Sequence, residues 1–466
     1  MMLGVLLYAY CTGERSSRRI ERRLVEDVGY RVLAVNQSPD HATLARFRRR
    51  HQDAIAGLFG QVLGLCVRAG LVDAGVVAID GTKIAADASF FANRSREELA
   101  SEILEEAEAT DAAEDALLGD RSGGELPEGW AGGRDRRDRI RAALDELDRQ
   151  QTRDYESRMA ERAKKEAELG RKLTGPKPSA DTARRARPRR ANTTDPHSRI
   201  IATGSRGVLQ GYNAQAAATA DQVVLAAEVT VTTNDQPHFV PMATAVAENL
   251  TEAGHHAGVG AFVADAGYWT AANGTVDVGA EVLIATRKTA WRKADKPDDD
   301  KLTVNRGELS QRQAGEILGV SYTWVRDMTK RYFGRDGQRT ARTAEPEPDE
   351  WIPVIERLAR GEISKRAARD ELTVSDTRIN VMLAHIRGEA ADPTIVRRAM
   401  DDKLARPTNT DLYRKRQHSI EPVFGNIKAN LGYRRFARRG LPAVNSEWRL
   451  ICASHNMLKL RQARPA

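Results

Sequence analysis

Two short apolar runs, each ending in a carboxylate, constrain the fold most. Val76-Val77-Ala78-Ile79 runs into Asp80, and Phe262-Val263-Ala264 runs into Asp265. Such runs read as strands buried on both faces. Strands of that kind need cover above and below, which points to an α/β core. Burying a carboxylate is costly unless it is paired or binds a metal. Asp80 and Asp265 are therefore the first candidate site residues. Gly81-Thr82 reads as a turn, with Lys83 to Ala88 extended or looped beyond it.

The sequence between and around these strands divides by composition. Residues 1–70 read as helices, with Leu3, Leu6 and Leu7, then Leu44, Phe47, His51 and Ile55, at spacings of three and four. The opening residues offer no lead-in turn, as if this helical domain began upstream. Arg46, Arg48, Arg49 and Arg50 give the later helix either a solvated face or a phosphate-contacting one. From Arg94 to Arg190 the chain turns to Glu, Ala, Arg, Lys and Asp. Leu99, Ile103 and Ala107 mark one helix there, and Ile140, Leu144 and Leu147 a second, as in a long charged hairpin. The basic run Arg184 to Arg190 follows as an arm. Strand patterns return at Gln210–Ala220 and Val223–Val231, joined at Asp221-Gln222. A helix over Phe239–Leu250 and a strand over Val282–Thr286 complete this part.

An internal repeat follows. Residues 307–328 align with 361–382, identical at 10 of 22 positions, including Ser310/Ser364, Leu318/Leu372 and Thr323/Thr377. Each copy reads as two helices about a tight turn, either a helix-turn-helix that enters a DNA groove or a structural helical hairpin.

Charge and cysteine content narrow the function classes. Lys plus Arg number 73 against 65 acids, a net +8, which suits a polyanionic partner. No window approaches the ~20 apolar residues of a membrane helix, and the apolar opening lacks the basic lead of a signal peptide. Three scattered cysteines, Cys11, Cys66 and Cys452, speak against a disulfide framework and for a cytoplasmic protein.

A third acid emerges near the C-terminus. Asp411 to Leu431 reads as a helix with Thr410 as N-cap and a kink or restart at Pro422. Tyr413, Arg416, Ile420, Phe424, Ile427 and Leu431 share one face, with Glu421 and Lys428 along its border. If Asp80, Asp265 and Glu421 converge, a hard divalent cation is the sensible occupant, Mg²⁺ or Mn²⁺. Two such ions would activate a water or a 3′-hydroxyl and stabilise the leaving oxygen of a phosphodiester. Arg416 and Lys428 would then hold phosphates, and Lys83 is a candidate DNA contact. Asp87 and Asp235 lie near enough in sequence to compete as ligands, and His255-His256 reads as a loop.

The segments Asp80-Gly81-Thr82-Lys83, Gly211-Tyr212-Asn213-Ala214-Gln215, Ala264-Asp265-Ala266-Gly267-Tyr268 and Glu421-Pro422-Val423-Phe424-Gly425-Asn426-Ile427-Lys428 resemble the DDE transposases of bacterial insertion sequences. So does the closing stretch Leu450 to Leu460. The resemblance covers most of residues 1–290 and 400–460 and implies an α/β, RNase H-like mixed-sheet catalytic core. With the composition shifts and the repeat read above, the chain divides into an N-terminal helical DNA-binding or assembly domain (1–70), core segments at 71–94, 192–290 and 399–466, and two helical insertions: a charged helical hairpin with basic arm (95–191) and an insert carrying the repeats (291–398). The resemblance also implies cleavage at terminal inverted repeats and transfer of 3′ ends into target DNA. Asp80, Asp265 and Glu421 would be the catalytic, metal-binding triad, holding a pair of Mg²⁺ or Mn²⁺ ions. Tyr413, Arg416, Glu421 and Lys428 fit the family's signature around the third acid. The Arg416–Glu421 spacing is one residue longer than in some relatives, which leaves Arg414 or Lys415 as substitutes. The partners implied are double-stranded DNA and further copies of the chain assembled on it, in a cytoplasmic, nucleoid-associated setting. Two rivals stand beside this reading: a helix-turn-helix regulator with an inactive core, and a nuclease that cuts without transfer. The repeat insert is not a usual part of the family.

Overall fold

The computed structural model describes residues 1–105, 132–169, 171–175, 177–178, 189–203, 207–286, 348–372, 379, 383 and 393–463. The chain forms two units, 1–285 with 400–466, and 286–399. The first copy of the repeat, most of the basic run and the turn of the second copy lie outside the described residues.

The larger unit is built on a six-stranded mixed sheet. Its strands are β1 (Val76–Ala85), β4 (Arg199–Ala202), β5 (Val208–Thr219), β6 (Val224–Thr230), β7 (Ala261–Ala264) and β8 (Glu281–Ile284). A separate two-stranded ribbon pairs β2 (Asn93–Arg94) with β3 (Ala191–Asn192). β1 sits in the middle, with Val77, Ala78 and Ile79 fully buried. It does not turn at Gly81-Thr82 as the sequence suggested. The antiparallel ladder with β5 runs unbroken from Val77↔Thr219 to Ala85↔Gly211, so Gly81 and Thr82 find backbone partners and stay extended. The parallel ladder with β7 ends at Ile79↔Ala264. Asp80 therefore marks the end of the parallel pairing, not the end of the strand. β7 pairs with β8 in parallel, and β6 returns antiparallel to β5 through a tight turn at Asp221-Gln222. Gln222 takes a left-handed backbone there (φ 67°).

Five helices open the chain: α1 (Met2–Cys11), α2 (Ser17–Glu26), α3 (Val28–Leu33), α4 (His41–Arg50) and α5 (Gln52–Arg68). Ser16, Asp27 and Asp40 accept backbone N–H groups at the starts of α2, α3 and α4, as good N-caps do. Arg48 on α4 donates to the carbonyl of Arg15 and to Ser17, so it joins two helices. α6 (Gly132–Leu169) is the long charged helix. Its inner face packs Ile140, Ala143 and Leu147 against Leu99 and Ala191, whereas Ile103 stays exposed. Glu146 is buried at that contact, paired with Arg149, Arg153 and Arg199.

α7 (Phe239–Glu252) and the short α8 (Ala271–Thr275) flank the sheet strands. In the smaller unit, α9 (Pro348–Ala359) and α10 (Lys365–Leu372) bury Val354, Ile355, Ala368 and Ile379 together. α11 (Pro393–Ala405) leads into α12 (Pro407–Gly425), and α13 (Leu441–Gln462) closes the chain. α13 completes the edge of β6. The Asn456 side chain accepts the Val224 N–H (2.8 Å) and donates to the Val224 carbonyl (2.8 Å), and Asn445 accepts the Val229 N–H (2.9 Å). Trp448, fully buried between them, donates its indole N–H to the Gln215 carbonyl (2.9 Å). No helix among the described residues is long and apolar enough to cross a membrane.

Candidate functional site

α12 carries the third acid, and its course differs from the sequence expectation in two ways. It begins at Pro407, not Asp411, because Pro is pre-set for a first helical turn. Thr410 is no cap; its hydroxyl donates to the Leu404 carbonyl (2.8 Å). Nor does Pro422 break the helix, which continues to Gly425 and widens into a π-turn over Asn426–Asn430. Pro422 has no N–H to give the carbonyl four residues back. That carbonyl, on His418, instead accepts from the Gln222 side chain (3.1 Å). The β5–β6 turn thus repairs the helix at the point where Glu421 must be presented.

Asp80 and Asp265 follow the last register pair of two adjacent parallel strands, so they stand side by side. Asp265 begins a 3-10 turn over Ala266–Tyr268 and accepts the Gly267 N–H (2.8 Å). Asp80 accepts the Gly81 N–H through Oδ1 (2.8 Å) and meets Arg416 Nη1 through Oδ2 (3.0 Å). Arg416 reaches Glu421 Oε1 with its other nitrogen (3.4 Å). The guanidinium is 14% exposed and Asp80 19%, while Glu421 is 53% exposed. Arg416, and not Arg414, is the arginine that faces the acids; Arg414 pairs with Asp411 on the surface.

Burial pushes the Asp80 carboxyl up to about 6; the neighbouring charges of Asp265 and Asp235 add to the rise, against the pull of Arg416 and the Gly81 N–H. Tyr413 is also raised, first by burial, and hydrogen-bonds Arg416. For Arg416, burial works against the charge, but Asp80, Tyr413, Asp265 and Glu421 together hold it firmly protonated. Lys428, on the π-turn, donates to Thr82 and to the Lys83 carbonyl (2.9 Å), just beyond Asp80 along β1. Lys83 itself turns to Asp235 (3.2 Å).

The structure therefore brings Asp80, Asp265, Arg416, Tyr413 and Glu421 to one place, with Lys428 and Lys83 beside it. Asp87 is elsewhere, paired with Arg439. Among the described residues no three His, Cys, Asp or Glu side chains close into a metal cage. The donor chemistry nevertheless fits a hard cation. Two carboxylates stand together, one of them held above its usual range by burial and by the neighbouring acids, and Glu421 is joined to Asp80 through the Arg416 guanidinium. Sequence reasoning assigned no role to Asn213 and Gln215. Their signal was a period-two pair of amides within an otherwise alanine-rich buried strand.

By fold and site this is a mixed α/β protein that gathers carboxylates and cations at one edge of parallel pairing. Its kinship comes from its two ends. The family model for a transposase DDE domain matches residues 384–461, and that for a transposase domain (DUF772) matches residues 1–50. Together the two matches support a DDE transposase of the insertion-sequence kind. The first span holds Tyr413, Arg416, Glu421 and Lys428 and leaves Asp80 and Asp265 outside it. No match was found among curated proteins or among solved structures.

Proposed function

We propose that this transposase cleaves DNA at the terminal inverted repeats of its element and transfers the 3′ ends into target DNA, using Asp80, Asp265 and Glu421. The observation that carries the reading is the side-by-side placement of Asp80 and Asp265, with Arg416 tying Asp80 to Glu421. The strand order β6–β5–β1–β7–β8, with only β1, β7 and β8 parallel, supports an RNase H-like core. The basic balance of the chain supports double-stranded DNA as substrate, and two ends held at once imply an assembly of several copies on the nucleoid.

Asp80 and Asp265 would hold Mg²⁺ or Mn²⁺, with Glu421 completing the set. Bound ions of this kind activate a water or a 3′-hydroxyl and stabilise the leaving oxygen. The remaining work belongs to the chain. Arg416 neutralises Asp80 and orients Glu421, and its second role is to bind a phosphate oxygen of the scissile strand. Tyr413 fixes the guanidinium. Lys428 places a cation beside β1, where the DNA backbone would run. The low exposure of Asp80 and Arg416 keeps bulk water from screening their contact.

The test is cleavage of a fragment carrying the cognate ends in Mg²⁺. D80N, D265N and E421Q should each lose cleavage and keep end binding. Full cleavage by any of them removes that residue from the site. Cleavage without joint molecules identifies a nuclease, and end binding by a wild-type chain that never cuts identifies a regulator.

A further inference from the structure

Asp235 lies in none of the triad motifs, yet polar side chains from two strands, β1 and β5, converge on it. It precedes the 3-10 turn Gln236–His238 at the start of α7. Its Oδ1 accepts from Asn213 (2.7 Å), Gln215 (2.9 Å) and Lys83 (3.2 Å). Gln215 in turn donates to Asn213 Oδ1 (3.0 Å) and accepts the Tyr268 hydroxyl. The carboxylate fits because two residues near the acids lack a Cβ. A Cβ on Gly81 would lie 2.6 Å from Asp235 Oδ1, and one on Gly267 would lie 3.4 Å from Asp235 Oδ2. Gly81 follows Asp80, and Gly267 sits in the turn that Asp265 caps. Asp235 is thus wedged between the backbone after the first acid and the backbone after the second.

The direction of the hydrogen bonds matters. A side-chain amide has a donor end and an acceptor end. Asp235, an acceptor, takes the Gln215 NH₂, and that leaves Gln215 Oε1 facing Tyr268. Tyr268 is fully buried and ends the turn begun by Asp265. A missing acceptor at 235 would remove one of the two groups, with Asn213 Oδ1, that hold the Gln215 NH₂, and so loosen the orientation that keeps Oε1 as the acceptor of the buried Tyr268 hydroxyl.

We propose that Asp235 is a positioning residue: by orienting Gln215 it fixes Tyr268 and so holds the Asp265 turn against Asp80. Lys83 supplies the counter-charge that keeps Asp235 in place. The inference rests on the reading of Asp80 and Asp265 as a metal-holding pair. One arm of its test is independent of that reading.

The experiment compares D235N, which keeps an acceptor oxygen, with D235L, which does not, in the full-length protein. The first measurement is Mn²⁺ affinity by calorimetry on the protein without DNA. Loss of a group that orients a ligand weakens metal binding ~10–100-fold, and D235L should fall in that range while D235N stays within about threefold. Y268F, which removes only a hydroxyl, should weaken binding in the same direction, and D235L/Y268F should be no worse than D235L. The second measurement is amide hydrogen exchange over residues 266–269, which should speed up in D235L and Y268F and not in D235N. Equal Mn²⁺ loss in D235N and D235L overturns positioning in favour of direct coordination. Unchanged exchange in a folded D235L, or in Y268F should D235L fail to fold, overturns it outright. If wild-type Mn²⁺ binding is indifferent to D80N and D265N, the metal-pair reading fails, and the exchange arm still decides the role of Asp235.

Discussion

Replacing Asp80 by asparagine should make the protein more stable as it removes the chemistry. Burial, then the charges of Asp265 and Asp235, lift this carboxyl from 3.8 to about 6 in spite of Arg416. A carboxyl raised in this way holds its proton more tightly in the folded chain than in the unfolded one. The stability that proton contributes is fully present below about pH 4 and is lost as pH rises through about 6. The rise converts to about 3 kcal/mol. An asparagine side chain carries no charge at any pH, so D80N keeps what the wild type loses, and its amide oxygen can still accept from Gly81 or Arg416. Spread over the larger unit at ~2.1 cal/mol/K per residue, that is an increase of about 4 °C in Tm. The assay is thermal unfolding followed by circular dichroism in EDTA, from pH 4 to 8. The two proteins should nearly coincide at pH 4 and separate towards pH 8, and added Mn²⁺ should raise Tm for the wild type alone. A D80N protein no more stable than wild type at pH 8, or a difference flat across the range, would refute the argument that Asp80 is held charged at the expense of stability.

Three other substitutions probe the surroundings. Gly81→Ala would put a Cβ 2.4 Å from Gln215 Nε2 and 2.6 Å from Asp235 Oδ1, so it should cost about 1–3 kcal/mol in urea unfolding and disturb the acid pair enough to depress cleavage. Arg416→Met removes the cation beside Asp80; the carboxyl midpoint, read by carbon-13 NMR, should move above about 6. Glu447 is fully buried and accepts the backbone N–H groups of Ala437 (3.0 Å) and Arg438 (3.0 Å). Glu447→Ala leaves both without that partner, at about 1–3 kcal/mol for each, whereas Glu447→Gln, which keeps one acceptor, should lose less in the same denaturation experiment.

The parts of the fold legible in the sequence are those that a local pattern determines. Val76 to Ile79 and Phe262 to Ala264 read as buried strands because nothing but a two-sided core wants such runs, and they are strands. The hairpin at Asp221-Gln222 and the helix from Phe239 were legible for the same reason. The second half of β1 was legible only in part, with Gly81-Thr82 read as a turn and Lys83 onward as extended or looped. Thr82, Lys83 and Ala85 have no strand signature of their own, and their extended form comes from a ladder with residues 211–214, far along the chain. The start of α12 was misread because a Thr three residues inside looked like a cap, when Pro407 was the stronger signal. Pro422 is tolerated only because Gln222, remote in sequence, takes up the carbonyl it orphans.

The same division runs through the site. Asp80 and Asp265 announce themselves, since a carboxylate after a buried apolar run is costly and so invites an explanation. Asp235 does not, because it follows no such run, and the groups that define it sit on β1, on β5 and in the Asp265 turn. What can be read beforehand is its complement. Asn213 and Gln215 are two amides on one face of a strand buried along most of its length among alanines. Buried amides require partners on both ends, and β5 pairs with β1 in a register that sets Asn213 opposite Lys83 and Gln215 opposite Gly81. Any acceptor that satisfies both must lie over Gly81, the one position on that stretch without a side chain to block it. A polar pair in an alanine strand, facing a glycine next to a buried acid, therefore foretells a further acidic side chain at the site before its own position in the sequence gives any hint of it.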